Sequence, residues 1–231
     1  MVRRPQVASK SAAIQQLSGS CAAAVLDLSP GEAPLMKPPL VLVHGLWDTP
    51  SLFDPLKAAL AGRRQPLLIP YLPQHWGASS LAELAGLLGS HIDAAFGVDQ
   101  PIDLLGFSMG GVVGRYWIQL LGGYRRTRRL YSVGSPHKGT WAAIPVPAFL
   151  LRGIAEMKPG SSLLQLLDRD LSRLRGVDCR SYYCPNDLTV FPGWRATLPL
   201  GQSFAMPVGS HRQLISHPKA LEILCRDLLI P

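Results

Sequence analysis

Charge is scarce in this chain: Asp, Glu, Lys and Arg supply 16% of its 231 residues, while apolar residues reach 47%. That balance excludes a disordered or solvating segment, which needs high charge and few apolar side chains. Aromatic residues stand at 7% and do not alternate with the basic ones, so nucleic acid finds no stacking platform. Cysteine is sparse too. Cys21, Cys179, Cys184 and Cys225 show no metal-ligand spacing, so no metal site is expected. Cys179 and Cys184 would point to opposite faces of one strand and resist pairing, which leaves reduced thiols and favours a reducing compartment.

Long apolar runs are also missing. No stretch approaches the about 20 residues that cross a bilayer. Met1-Val2-Arg3-Arg4 invites reading as a secretion signal, but the stretch to Ser20 is polar and the apolar run Cys21–Leu26 is too short to serve. The expectation is a cytoplasmic protein without a transmembrane segment. No fixed-period repeat occurs.

What is present in excess is positive charge, +8 in all, densest at Arg125, Arg126, Arg128 and Arg129. One reading is a solvated surface where a helix ends, since cations complement the helix dipole there. The other is peripheral contact with an anionic lipid surface or nucleic acid; the missing aromatic alternation tells against nucleic acid.

Residues 1 to 37 read as a loosely ordered lead-in closing on the Pro-rich stretch Pro34–Pro39. From residue 38 to 231, short β-type runs alternate with helical patterns, the mark of an α/β domain with a mostly parallel sheet and helices on both faces. Leu40–Val43, Leu67–Ile69, Ile102–Phe107, Leu130–Val133, Cys179–Cys184 and Phe204–Val208 are the strand candidates. Thr49-Pro50, Ser80 with Glu83, and Ser162 with Gln165 mark helix starts. Leu171 and Leu174 continue the apolar face of the third of these helices, and Leu221, Leu224, Cys225 and Leu228 give a last one. Trp141 to Pro159 interrupts the alternation with an apolar, proline-broken stretch.

The chemistry centres on Gly106-Phe107-Ser108-Met109-Gly110. It fits Gly-x-Ser-x-Gly, with a buried strand before it and a helix after it. A serine on a sharp strand-to-helix turn needs flanking glycines so that neighbouring backbone can approach, and the helix aims its positive end at a developing oxyanion. This arrangement resembles the nucleophile elbow of the α/β-hydrolase fold, whose chain order is serine, acid, histidine. The hydroxyl needs a base and the base an orienting carboxylate. Asp187, in a loop after Cys179–Cys184, fits the acid better than Asp178, which precedes that strand, or Asp168 and Asp170, which lie on a leucine-faced helix and read as solvated. For the base, His211 follows the last strand and a Gly-Ser turn, whereas His217 before Pro218 reads as a helix cap. His91 reads as solvated. His75 and His137 precede the acid. The oxyanion would be held by the N–H groups of Met109 and of Leu46 in His44-Gly45-Leu46-Trp47, with His44 bracing the loop.

Together with Gly134-Ser135-Pro136-His137-Lys138-Gly139, Val190, Pro192, Leu214 and Pro218, these motifs resemble bacterial lipases and esterases of the α/β-hydrolase superfamily over about residues 38 to 229. The resemblance implies an acyl-enzyme mechanism without a cofactor. It also implies a cap or lid, placed here at about residues 140 to 175. A His-Gly-x oxyanion loop is typical of members acting on medium or long acyl chains. Ser135 stands where the family turn usually has threonine, and the segment before residue 38 has no family counterpart.

The expected function is hydrolysis of carboxylic esters of a lipid-like small molecule. The same machinery would serve an acyltransferase or thioesterase, and a non-catalytic basic binding module is the rival class. Trp141, Ile144, Phe149, Leu150 and Leu151 are either a lipid-facing lid surface or part of the core.

Overall fold

The computed structural model describes residues 37–230, so the expected lead-in apart from Lys37, and Cys21 within it, lie outside the described residues. The apolar runs form six parallel strands: β1 (Leu40–Val43), β2 (Leu67–Leu68), β3 (Ile102–Phe107), β4 (Thr127–Val133), β5 (Asp178–Tyr183) and β6 (Gln202–Ala205). Their order is β2-β1-β3-β4-β5-β6. The helices are α1 (Asp54–Leu60), α2 (Leu81–Phe96), α3 (Met109–Leu120), the single turn α4 (Arg152–Ala155), α5 (Ser162–Arg169) and α6 (Pro218–Leu228).

Period-two side-chain alternation divides the core. Val41, Val43, Leu104, Leu130 and Cys179 pack with α2, α3 and α5 on one face. Leu40, Leu42, Leu105, Phe107, Tyr131 and Tyr182 pack with α1 and α6 on the other. Cys179 and Cys184 join opposite clusters as free, buried thiols. The chain turns one way from β1 to β2 and then crosses back to β3, so a crevice opens outside the carboxyl ends of β1 and β3, where α/β sheets place their sites.

Several local expectations hold. Ser80 and Glu83 form a reciprocal capping box on α2, and the His217 side chain caps α6 by accepting from Lys219 N–H. Others shift. The cap of α5 is Ser161, whose hydroxyl accepts from Leu164 N–H, and not Ser162. Helix α5 ends at Arg169, leaving Leu171 outside it and Leu174 in a separate 3₁₀ turn. Strand β6 is an exposed edge and ends at Ala205; Met206 and Val208 continue the apolar run as a loop packed on the core. Asp168 is not merely solvated, because its Oδ1 accepts at 2.7 Å from the buried Arg115, which also donates to Leu167 O and Gln119 Oε1.

The arginine cluster departs furthest from the helix-end reading. Strand β4 begins at Thr127, three residues ahead of the apolar run, and carries Arg128 and Arg129 into the sheet. Arg129 pairs with Asp178 at 3.5 Å and Arg126 with Asp93 at 2.8 Å. Arg128 stands 4.0 Å from Asp103, a buried carboxylate within β3 that already holds Arg64 at 2.6 Å. Arg64 also donates to Pro38 O. Burial pushes the Asp103 carboxyl up, against the pull of these arginines.

Behind β4, His137 is fully buried, with Nε2 2.6 Å from Ser132 Oγ. Burial, reinforced by the charges of Arg115 and Lys138, holds its ring well below the ordinary histidine value of 6.5.

Two outcomes follow from these buried groups. Asp103→Ala leaves the buried Arg64 without its carboxylate and should lower unfolding free energy by about 3–5 kcal/mol, read as a shift in the urea midpoint. His137 refuses, when folded, a proton that the unfolded chain binds near 6.5, so its contribution is present above that pH and shrinks below it. The urea midpoint should therefore fall between pH of about 7.5 and about 5.5, less steeply in His137→Gln; an unchanged slope would remove His137 as the cause.

Candidate active site

The candidate residues lie in loops leaving the carboxyl ends of β1, β3, β5 and β6. Ser108 stands between β3 and α3 with φ 54° and ψ −127°, a conformation that costs a non-glycine residue of order 1–3 kcal/mol. Neighbouring glycines permit it. A Cβ on Gly106 would come within 2.3 Å of Gly111 Cα, and one on Gly110 within 2.2 Å of Val43 O. A Cβ on Gly111 would meet Ser135 Oγ at 2.0 Å. Met109 opens α3, so its N–H is among the first-turn donors without an intrahelical partner.

The loop after β1 is held from one side. His44 is buried; its Nε2 accepts from Leu72 N–H at 3.1 Å, and its Nδ1 lies 3.1 Å from Gly45 O and 2.9 Å from Gln74 Nε2. Burial lowers its pKa, and both nitrogens are engaged. The bracing role expected of His44 is what the geometry has. Gln74 completes the brace, donating to Gly45 O at 2.6 Å and accepting from Trp47 N–H at 2.5 Å. Asp48 N–H goes to Gly45 O, so of Leu46, Trp47 and Asp48 only Leu46 has an uncommitted N–H among the described hydrogen bonds.

Asp187 is buried. Its Oδ1 accepts from Thr189 N–H at 2.8 Å and Val190 N–H at 2.9 Å, and Oδ2 lies 2.6 Å from His211 Nδ1. The second ring nitrogen, Nε2, is buried without a hydrogen-bond partner among the described residues. The ring rests on Phe107, centroids 4.9 Å apart, and on Gly134, where φ is +60° and a Cβ would stand 3.0 Å from His211 Cε1. Ser108, His211 and Leu46 line one cavity of about 400 Å³, and Ala142, Ala143, Val146, Ile154, Met157 and Val190 add an apolar wall.

The structure thus brings Ser108, His211 and Leu46 to one cavity, joins His211 to Asp187, and puts Met109 at the helix end beside Ser108. His217 caps α6, His91 is exposed, His75 bonds Ser79 Oγ, and Asp178 pairs with arginines at the start of β5. Sequence reading missed Gln74, Thr140 and the pair Asp48–Arg212. Thr140 accepts from Phe191 N–H and donates to Thr189 O, tying the turn after β4 to the acid loop. Arg212, next to His211, donates to Asp48 across the cavity mouth at 2.5 Å. No local periodicity marks contacts between such distant segments; the only hint was that Asp48 and Arg212 adjoin residues already singled out.

Comparison with solved structures agrees with this architecture. The mature form of Bacillus licheniformis lipase BlEst2 is similar over 87% of this chain and 95% of that one, with TM-score 0.71 and 16% identity. MGS-MChE2, an alpha/beta hydrolase enzyme from a lagoon-sediment metagenome of Mar Chica, Morocco, covers 83% and 90% with TM-score 0.62 and 19% identity. The RedJ thioesterase of the Streptomyces coelicolor prodiginine pathway covers 87% and 91% with TM-score 0.55 and 18% identity. No curated relative matches the chain. Identities this low show the shared fold alone. The family model described as alpha/beta hydrolase family, however, matches residues 40–223, and the chain belongs to that family.

Proposed function

We propose that the protein is a serine hydrolase that cleaves carboxylic esters through an acyl-enzyme. One observation carries the reading: His211 is oriented by the buried Asp187 at 2.6 Å, its other nitrogen has no hydrogen-bond partner among the described residues, and the ring lines the same cavity as the elbow serine. In this scheme Ser108 Oγ attacks the ester carbonyl while its proton moves to His211 Nε2. The Leu46 and Met109 N–H groups take the oxyanion, and α3 adds its positive end. His211 then protonates the leaving alcohol, and a water repeats the sequence to free the acid. Asp187 holds the imidazole in the tautomer this requires.

The apolar wall from Ala142 to Met157 supports an acyl group of some length as the occupant of the cavity. Trp141, Ile144, Phe149 and Leu150 are exposed and not core, which supports the lid-surface reading and contact with a lipid aggregate. BlEst2 is named a lipase and RedJ a thioesterase; a thioester or an acyl-accepting alcohol would use the same groups. The basic-module reading loses support because Arg126 and Arg129 are engaged in ion pairs. Among the described residues no helix is long and apolar enough to cross a membrane.

Ser108→Ala should lower kcat on p-nitrophenyl esters on the order of 10⁴-fold or more while the variant stays folded; full retention of activity would end the assignment. Val146→Trp should fill the acyl cavity and cut kcat/KM for an octanoyl ester about tenfold more than for an acetyl ester. Equal losses on both would mean that the acyl chain lies elsewhere.

A further inference from the structure

We propose that a second groove beside the catalytic cavity seats the alcohol portion of the ester, and that this alcohol is a neutral sugar or cyclic polyol. The inference rests on the ester-hydrolase reading and extends it to the other half of the substrate. The groove encloses about 430 Å³, with Trp47, Tyr71 and Trp76 on its wall together with Asp48, Gln74 and His75. The three aromatic side chains are 67%, 58% and 82% exposed, far outside the core that such side chains normally supply.

Trp47 is also held in place, and it ties down the backbone of Trp76. Trp47 Nε1 donates to Trp76 O at 3.2 Å, and Trp47 N–H to the buried Gln74. Trp47, His75 and Trp76 all have positive φ, at 61°, 44° and 59°. Bulky residues adopt that conformation only where their surroundings force it, and such strain gathers at binding sites. Here the strained backbone presents rings to solvent, where they contribute nothing to the core.

The groove adjoins the catalytic cavity, since Trp47 and Asp48 line both. Its walls come from residues 47–49 and 71–76, whereas the apolar wall of the catalytic cavity comes largely from residues 142–157. Asp48 is bonded to Arg212, the neighbour of the histidine that would protonate the leaving group. Acyl and alcohol portions thus meet separate walls that share Trp47 and Asp48.

A sugar ring offers a C–H face that packs on aromatic rings and an edge of hydroxyls for Asp48, Thr49 and His75. An ammonium group would also favour aromatic rings with a carboxylate. Asp48, however, is already neutralised by Arg212, and the chain carries +8. A hydrocarbon surface would be poorly matched to a carboxylate and a carboxamide in the wall. In the reaction the bond between the sugar oxygen and the acyl carbon breaks, the Ser108 ester forms, and the Ser108 proton passes through His211 to the sugar oxygen. Water then releases the acid.

The test compares kcat/KM for butyrate esters of ethanol, choline and methyl glucoside (acylated on its primary hydroxyl) in wild type, Trp76→Ala and Trp76→Phe. Wild type should prefer the glucoside ester over the ethyl ester about tenfold, Trp76→Ala should erase that preference, and Trp76→Phe should keep most of it. If Trp76→Ala does not fold, Tyr71→Leu serves for the same ratio. Hydrolysis of ethyl butyrate without a glucoside preference, or a preference for the choline ester, would overturn the proposal and leave the esterase reading standing. So would a Trp76→Ala loss seen only on vesicle-dispersed esters, which would make the rings a lipid contact. Hydrolysis of none of the esters would overturn both readings.

Discussion

The tight approach of backbone against backbone where β3 hands the chain to α3 governs everything around it. Gly106 lies so near Gly111, and Gly110 so near Val43 O, that no side chain fits at either position. This contact lets α3 start immediately after one strained residue, and that residue is Ser108. It also presses the helix end against the loop after β1 and against Ser135. The loop after β1, the serine and the turn behind His211 therefore share one set of distances. A looser crossing would keep the sheet and still lose the register between the hydroxyl and its partners.

This crossing was readable because its constraints are local. A buried strand, glycines two residues either side of a serine and an amphipathic helix occupy a short stretch, and each requires the next. The meeting of Asp187 with His211 was readable for a different reason: each lies in a loop after a strand, and few acids or histidines compete in the order the resemblance implies. Strand limits were less legible. The Arg128 and Arg129 side chains conceal the start of β4, because ion pairs with Asp103 and Asp178 make charge tolerable within the sheet. At β6 the error runs the other way, since Met206 and Val208 are apolar to fill the core from a loop. Asp103 itself sits in a run read as a buried strand, and its partner Arg64 is far away in sequence.

What the sequence concealed at the site is the support of the reactive groups. His44 could be cast as a brace, but Gln74, which completes the brace, carries no signal of its own. Thr140 ties two loops through a single hydroxyl, and Arg212 reaches Asp48 across the cavity mouth. These are meetings of loops that only the sheet order decides. The exposed Trp47 and Trp76 likewise gain meaning only once their backbone and their shared hydrogen bond are seen.

The ion pairs of these arginines have a further consequence. Arg64–Asp103, Arg129–Asp178 and Arg126–Asp93 all sit toward the amino ends of the strands, while the loops of the candidate site leave the carboxyl ends. These three pairs and the candidate site are thus kept at opposite rims of the sheet. The carboxyl rim can be re-cut, loop by loop, without disturbing the charges that fasten the strands at the other. A scaffold divided in this way is free to change what it accepts while keeping how it holds together.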